Sequence, residues 1–271
     1  MEKKKSEFDR LISIMKKLRA PDGCPWDRKQ TWKSLCPHIV EEAYELIDAI
    51  QNGSESQDGQ HVLEECGDLL LQVIFVGTIA EELGKFAIDD IPRAIGDKLV
   101  RRHPHIFGET PCAVDADQAY RGWEEIKRRE RASHHEDTSV LAGVPRSLPA
   151  AIKAYRIQQK VASVGFDWQK DTQQPVMDKI GEELEEVREA LEDPALQNEL
   201  AGEIGDLLFA VINLARRCRI DPESALALTN EKFSRRFRFV EEQVEKSGKD
   251  WKGHSLDELE LFWKQAKSAG L

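Results

Sequence analysis

The chain has 271 residues, 33% of them charged and only 7% aromatic, with a formal net charge of -11. This composition fits one or two folded domains and excludes a disordered chain, and the acidic balance argues against a nucleic-acid or anionic-membrane partner, because phosphate backbones need a basic footprint. No stretch approaches the roughly 20 apolar residues that cross a bilayer, and the opening MEKKKSEFDRLISIMKKLRA has charges where a signal peptide has its apolar core, so a cytoplasmic location is expected. Five cysteines (Cys24, Cys36, Cys66, Cys112, Cys218) include no C-x-x-C pair and read as reduced thiols rather than a zinc site or disulfide framework.

Apolar residues recur at helical spacing and nothing alternates as a strand, so the expected fold class is all-α. In chain order the first half carries IVEEAYELIDAI (39–50), LEECGDLLLQVI (63–74), DKLVRR (97–102) and GWEEIK (122–127). From about 131 to 149 the text turns to RASHHEDTSVLAGVPRSLP, a linker by its His, Ser, Gly and Pro content; the adjacent His134 and His135 read as solvated. The second half then answers the first, with IGEELEEVREAL (180–191), AGEIGDLLFAVI (201–212), EKFSRR (231–236) and FWKQAK (262–267). Four matched elements in one order indicate two tandem repeats of a helical-bundle domain, divided as 1–130, a linker over 131–149, and 150–271.

Helical rotation of 100° per residue separates the roles of the acidic residues. Ile180, Leu184, Val187 and Leu191 form a stripe expected to be buried. Glu182, Glu185, Glu189 and Glu192 lie opposite it, as a solvated face would, whereas Glu183 and Glu186 project about 60° and 120° from the stripe. In the next helix, Glu203 and Asp206 take similar angles beside Leu200, Ile204, Leu207, Val211 and Leu214. The first half repeats this, with Glu42 and Glu45 beside Ile39, Ala43, Leu46 and Ile50, and Glu65 and Asp68 beside Val62, Cys66, Leu69 and Val73. Antiparallel packing of each helix pair brings four carboxylates together.

Convergent carboxylates resist ionising together unless a cation neutralises them. An all-oxygen set without His or Cys suits Mg²⁺, with Mn²⁺ as a substitute, rather than zinc, copper or haem. The di-iron bundle pairs its glutamates with Glu-x-x-His, and no such histidine stands here.

The residues that carry these pairs resemble the MazG nucleoside triphosphate pyrophosphohydrolases, a family whose motif is E-E-x-x-E followed by E-x-x-D. The motif stands as Glu41, Glu42, Glu45 with Glu65, Asp68, and again as Glu182, Glu183, Glu186 with Glu203, Asp206. The tandem form and full length are similar to the long, two-domain members. The resemblance implies an all-α fold, a homodimer, and Mg²⁺-dependent hydrolysis of a nucleoside triphosphate to the monophosphate and pyrophosphate. On that reading Glu183, Glu186, Glu203 and Asp206 are the catalytic metal ligands, and Glu42, Glu45, Glu65 and Asp68 the second metal set. The identity of the group that takes the attacking water's proton stays open.

No G-x-x-x-x-G-K-[ST] occurs, so basic side chains rather than a P-loop must hold phosphate. Lys232, Arg235 and Arg236 share a helix face in the second half, as do Lys98, Arg101 and Arg102 in the first. Trp263 with Lys267 repeats Trp123 with Lys127 and could stack on a base while touching phosphate; Trp168 and Lys179 lie near the acidic helix. Pro104 should interrupt the basic helix after Arg102, while RRFRFVEE continues after Arg236, so the second half is expected to be the better catalyst. The apolar runs at 69–77 and 207–215 suit burial between two copies or a helix central to its own domain. The alternative to an enzyme is a helical regulatory protein that binds metal or nucleotide without turnover, and Mg²⁺-dependent pyrophosphate release separates the two.

Overall fold

The computed structural model describes residues 6–56, 59–108, 115–133, 137–169 and 171–271; His134, His135 and Cys112 fall outside them. Among the described residues the chain is helical, with no strand. It divides into two compact units, 1–113 and 114–271.

The first unit contains α1 (Glu7–Arg19), α2 (Pro25–Lys29), α3 (Trp32–Ser56), α4 (Gly59–Glu82), α5 (Asp90–Arg102) and α6 (Pro104–Phe107). A reciprocal cap starts α1: the Ser6 hydroxyl accepts from the Asp9 amide, and the Asp9 carboxylate accepts from the Ser6 amide. The long helices α3 and α4 run antiparallel, since Trp32 near the start of α3 donates to the Val76 carbonyl near the end of α4, while Gln72 reaches back to Glu42. Met15, Leu35, Ile74, Phe75, Ile79 and Ile88 make the core. Arg19 clamps Glu82 through two nitrogens, at 2.6 and 2.7 Å, which locks α1 to α4. At Gly77 a Cβ would stand 3.0 Å from the Ile88 side chain, so the close approach of α4 to the following segment needs glycine there. As the proline predicts, α5 ends at Arg102 and a separate short helix begins at Pro104.

The second unit contains α7 (Ala116–Ser133), α8 (Ala150–Ser163), α9 (Gln174–Glu192), α10 (Leu200–Arg217), α11 (Pro222–Ser247) and α12 (Leu256–Ser268), with a 3₁₀ turn at Trp251–Gly253. Here α9 and α10 pair as α3 and α4 do, α8 packs across α10, and α12 lies on α11. The sequence division assigned residues up to 130 to the first half; in the structure α7 groups with the second unit. A buried ion pair holds it there: Lys160 of α8, only 2% exposed, meets Glu124 of α7 at 2.9 Å, and Lys127 meets the other oxygen of Glu124 at 2.8 Å. Burial alone would raise the Glu124 carboxyl, but the two ammonium groups hold it below its ordinary value.

The expected stripe of α9 is rotated. Leu184 and Leu191 are 41% and 63% exposed, whereas Val176, Glu183 and Ala190 are buried. On α10, Ile204 and Val211 are exposed and Ala210 is buried; in the first unit Ile50, Cys66 and Val73 are exposed while Ala49, Gln72 and Ile74 are buried. The physical reason is that each helix carries an apolar arc wider than its neighbours in the chain cover.

Candidate metal centre and adjoining cavity

Antiparallel pairing of α9 with α10 brings the two acidic pairs of the second unit together. Glu183, Glu203 and Asp206 each present a carboxylate oxygen within 4.8 Å of the others. Glu183 is 6% exposed, so it belongs to the buried face of α9 rather than to its border. Glu186, one turn on, hydrogen-bonds with Glu183; partial desolvation, then that contact and the charges of Glu183 and Glu203, push its carboxyl above the ordinary value, with Lys179 opposing.

The first unit gathers Glu42, Glu45 and Glu65 within the same 4.8 Å limit. Burial and the nearby charges of Asp68, Glu45 and Glu65 raise the Glu42 carboxyl, against a hydrogen bond from Gln72. All eight expected carboxylates therefore lie in or beside two clusters. Each cluster is a set of hard oxygen donors whose mutual repulsion is relieved by a divalent cation, and neither contains a thiolate or imidazole ligand that would favour a softer metal.

Electrostatic relief within the chain comes from Lys179, which meets Glu182 and Glu183 at 2.7 Å each. Those two hydrogen bonds raise its ammonium above its usual range, so it stays charged. The matching position of the first unit, three residues before the acidic motif, is His38, which faces Glu41 at 3.6 Å.

A cavity of about 620 Å³ opens directly onto the second cluster. Lys179, Glu183 and Asp206 form its acidic and basic end, and Phe166, Trp168 and Phe209 contribute aromatic surface. Its rim is built by a long-range clamp. Arg216 and Arg217, at the end of α10, grip the Asp167 carboxylate at 2.9 and 3.0 Å, and Arg217 also donates to the carbonyls of Trp168, Gln169 and Thr172 and to Gln173. The loop carrying Trp168 is thereby fixed against the helix that supplies Glu203 and Asp206.

The residues expected to bind phosphate sit elsewhere in the unit, along α11 and α12. Lys232, Arg235 and Lys267 are exposed. Arg235 pairs loosely with Glu231 at 3.9 Å, and Arg236 is committed to the Leu271 carbonyl at 2.7 Å and to the face of Trp263. Trp263 packs against Phe233 at 4.9 Å. None of the five lines the cavity. In the first half, Lys98 and Arg101 are exposed; Lys127 is taken up by Glu124. The clamp of Arg216 and Arg217 on Asp167, and the buried Gln158 of α8, were not singled out from sequence. The only sequence signal for the clamp is the Arg-Arg pair ending an acidic helix, and it gives no partner.

Comparison with known proteins agrees with the geometry. The MazG nucleotide pyrophosphohydrolase domain matches twice, at residues 30–107 and 171–240, covering both clusters. The chain is 45% identical over 260 residues to the nucleoside triphosphate pyrophosphohydrolase/pyrophosphatase MazG of Thermotoga maritima, spanning 96% of this chain and 95% of that protein. It is also 45% identical over 264 residues to the nucleoside triphosphate pyrophosphohydrolase of Escherichia coli K12, covering 97% of each. An uncharacterized Bacillus subtilis protein, YabN, is 41% identical over 261 residues, which are 96% of this chain and 52% of that protein. The chain belongs to the MazG nucleotide pyrophosphohydrolase family.

Proposed function

We propose that this enzyme hydrolyses nucleoside triphosphates, ribo and deoxy, to the monophosphate and pyrophosphate in a Mg²⁺-dependent reaction, with Mn²⁺ as a substitute, and that the second unit is the principal catalyst. The observation that carries the reading is the carboxylate triad of Glu183, Glu203 and Asp206, of which Glu183 and Asp206 line a cavity large enough for a nucleoside. Glu183, Glu203 and Asp206 hold the cation, with Glu186 beside them. When bound, a divalent cation neutralises phosphate oxygens and activates a water for attack at phosphorus.

The chain's own residues do the rest. Trp168 and its neighbours offer flat apolar surface to the nucleoside end. Lys179, fixed beside Glu183, is placed to meet a phosphate oxygen. In the first unit Gln72, buried, donates to Glu42 at 3.3 Å, where the matching residue of the second unit is Ala210, which lines the cavity. This contrast, with the break of α5 at Arg102, supports the second unit as the better site.

The working form is a cytoplasmic homodimer. Supporting this, Leu184, Leu191, Leu208 and Val211 leave apolar surface exposed on the α9–α10 pair, surface that a second copy would cover. No described helix is long and apolar enough to cross a membrane. Incubation of purified protein with the common nucleoside triphosphates tests the activity: pyrophosphate should appear with Mg²⁺ and not with excess chelator. Binding of nucleotide without product would leave only the regulatory alternative.

A further inference from the structure

Residues 108–170 lie between the two stretches that match the family domain, and within them the second unit has another cavity, of about 190 Å³. Arg121, Glu124, Glu125, Arg128 and Arg131 of α7 line one side of it, and Val140, Ser163 and Val164 line the rest. The α7 residues recur at i, i+3, i+4, i+7 and i+10, which is one face of a helix. Against the acidic balance of the chain, this region is basic: α8, which packs on α7, carries Lys153, Arg156 and Lys160 and no acidic residue.

Both carboxylates on this face are already answered. The two oxygens of Glu124 meet Lys127 at 2.8 Å and Lys160 at 2.9 Å, and those of Glu125 meet Arg129 at 2.9 Å and Arg128 at 2.7 Å. Four cations thus serve two carboxylates, while Arg121 and Arg131 have no ion-pair or hydrogen-bond partner among the described residues. Arg131 is held in place all the same. The turn at 140–143 passes so close that a Cβ on Gly143 would stand 3.3 Å from its Nη1, and Gly143 takes a left-handed φ of 77° there. The Nε of Arg131 is sealed, so its terminal nitrogens are the donors left for a ligand. An arginine cannot shed its charge by losing a proton, and cations gathered in a concave site without counter-ions favour a bound anion.

Size and shape narrow the anion. The volume exceeds the roughly 30 Å³ share of one water and falls short of the roughly 300–1,000 Å³ of pockets for drug-sized ligands, which leaves no room for a nucleoside. Arg121 and Arg131 stand ten residues apart, about 15 Å along the helix axis, with Arg128 between them, so an elongated anion meets both ends where a single phosphate does not. We infer that this cavity binds inorganic pyrophosphate, with the guanidinium groups of Arg121 and Arg131 answering its two phosphoryl groups. Pyrophosphate is the product of the reaction proposed above, but the site is separate from the metal centre. Ser163 and Val164 belong to it, and the next two residues, Gly165 and Phe166, line the cavity beside Glu183, so the bound product lies behind the wall of that cavity rather than in it.

Calorimetric titration of the full chain with sodium pyrophosphate, in chelator and without nucleotide, tests the site. One pyrophosphate per chain should bind with a Kd below about 1 mM, at least about tenfold tighter than orthophosphate, which reaches only one end. Arg121 is exposed, so Arg121→Glu should fold, and it should weaken pyrophosphate binding at least about tenfold. Lys246→Ala, which removes an exposed cation of α11 outside the cavity, should change it less than about twofold. Absence of binding, equal affinities for pyrophosphate and orthophosphate, an affinity that Arg121→Glu leaves unchanged, or a loss that Lys246→Ala shares would each overturn the assignment. If Arg121→Glu does not fold, Arg121→Gln removes the charge without reversing it and reads the same contact. Because neither metal nor nucleotide is present, the outcome is independent of whether the chain hydrolyses triphosphates.

Discussion

Replacing Ala210 with glutamine should impair the second unit by giving it the residue that the first unit already has. The repeats LEECGDLLLQVI and AGEIGDLLFAVI set Gln72 opposite Ala210. In the first unit the Gln72 amide reaches Glu42 at 3.3 Å, and Ala210 lines the cavity beside Glu183, the counterpart of Glu42. A hydrogen bond to a charged group contributes about 1.5–3 kcal/mol; at this length the lower end applies, and ~1.5 kcal/mol corresponds to about a tenfold change in an equilibrium constant. A cation must displace that amide, so Ala210→Gln should weaken Mn²⁺ or Mg²⁺ binding about tenfold. Calorimetric titration of the full chain in a Glu42→Gln background isolates the second site, and Gln72→Ala in a Glu183→Gln background should tighten the first. A folded Ala210→Gln protein that binds metal within about twofold of its parent would refute the reasoning.

Further outcomes follow from the same geometry. Lys179 and a divalent cation are alternative counter-ions for Glu183, so Lys179→Met should lower the Tm of the metal-free protein and enlarge the rise in Tm on adding Mg²⁺; an unchanged rise would contradict the pairing. Lys160→Met leaves the buried Glu124 with Lys127 alone and should cost about 3 kcal/mol in urea unfolding at neutral pH, within the range for breaking a buried pair. Because the Glu124 carboxyl is held low, its contribution is present above the ordinary carboxylate value and is lost as pH falls through the lowered one. Glu124→Gln should therefore flatten the acid side of the stability profile, and an unaltered slope would count against the pair. Arg217→Ala releases Asp167, Trp168 and Thr172 from its guanidinium and should raise KM more than it lowers kcat, with a change in tryptophan fluorescence; a normal KM would show that the clamp does not shape the cavity.

The sequence carries the helices, their duplication and the identity of the acidic residues, because these depend on local periodicity and on spacing within single helices. Glu183 shows the limit. Periodicity gives α9 an apolar arc but not which side of it the chain covers, and the structure buries Glu183 while leaving Leu184 and Leu191 exposed. Where α7 meets α8, an ion pair joins residues 36 apart, which no charge pattern on a highly charged helix can distinguish from solvated side chains. The cavity depends on contacts between Arg216 or Arg217 and a loop 44–50 residues earlier in the chain. Trp168 and Lys179 consequently line the cavity, although helical spacing alone favours Trp263 and the basic residues of α11.

On the function proposed above, the α9–α10 carboxylates hold the cation for cleavage between the α- and β-phosphates. ³¹P NMR of nucleoside triphosphates with Mg²⁺ and the wild type, Glu42→Gln or Glu183→Gln protein tests it most directly. Monophosphate and pyrophosphate should be the products, retained in Glu42→Gln and abolished in Glu183→Gln. Diphosphate with orthophosphate, or undiminished turnover in Glu183→Gln, would contradict it.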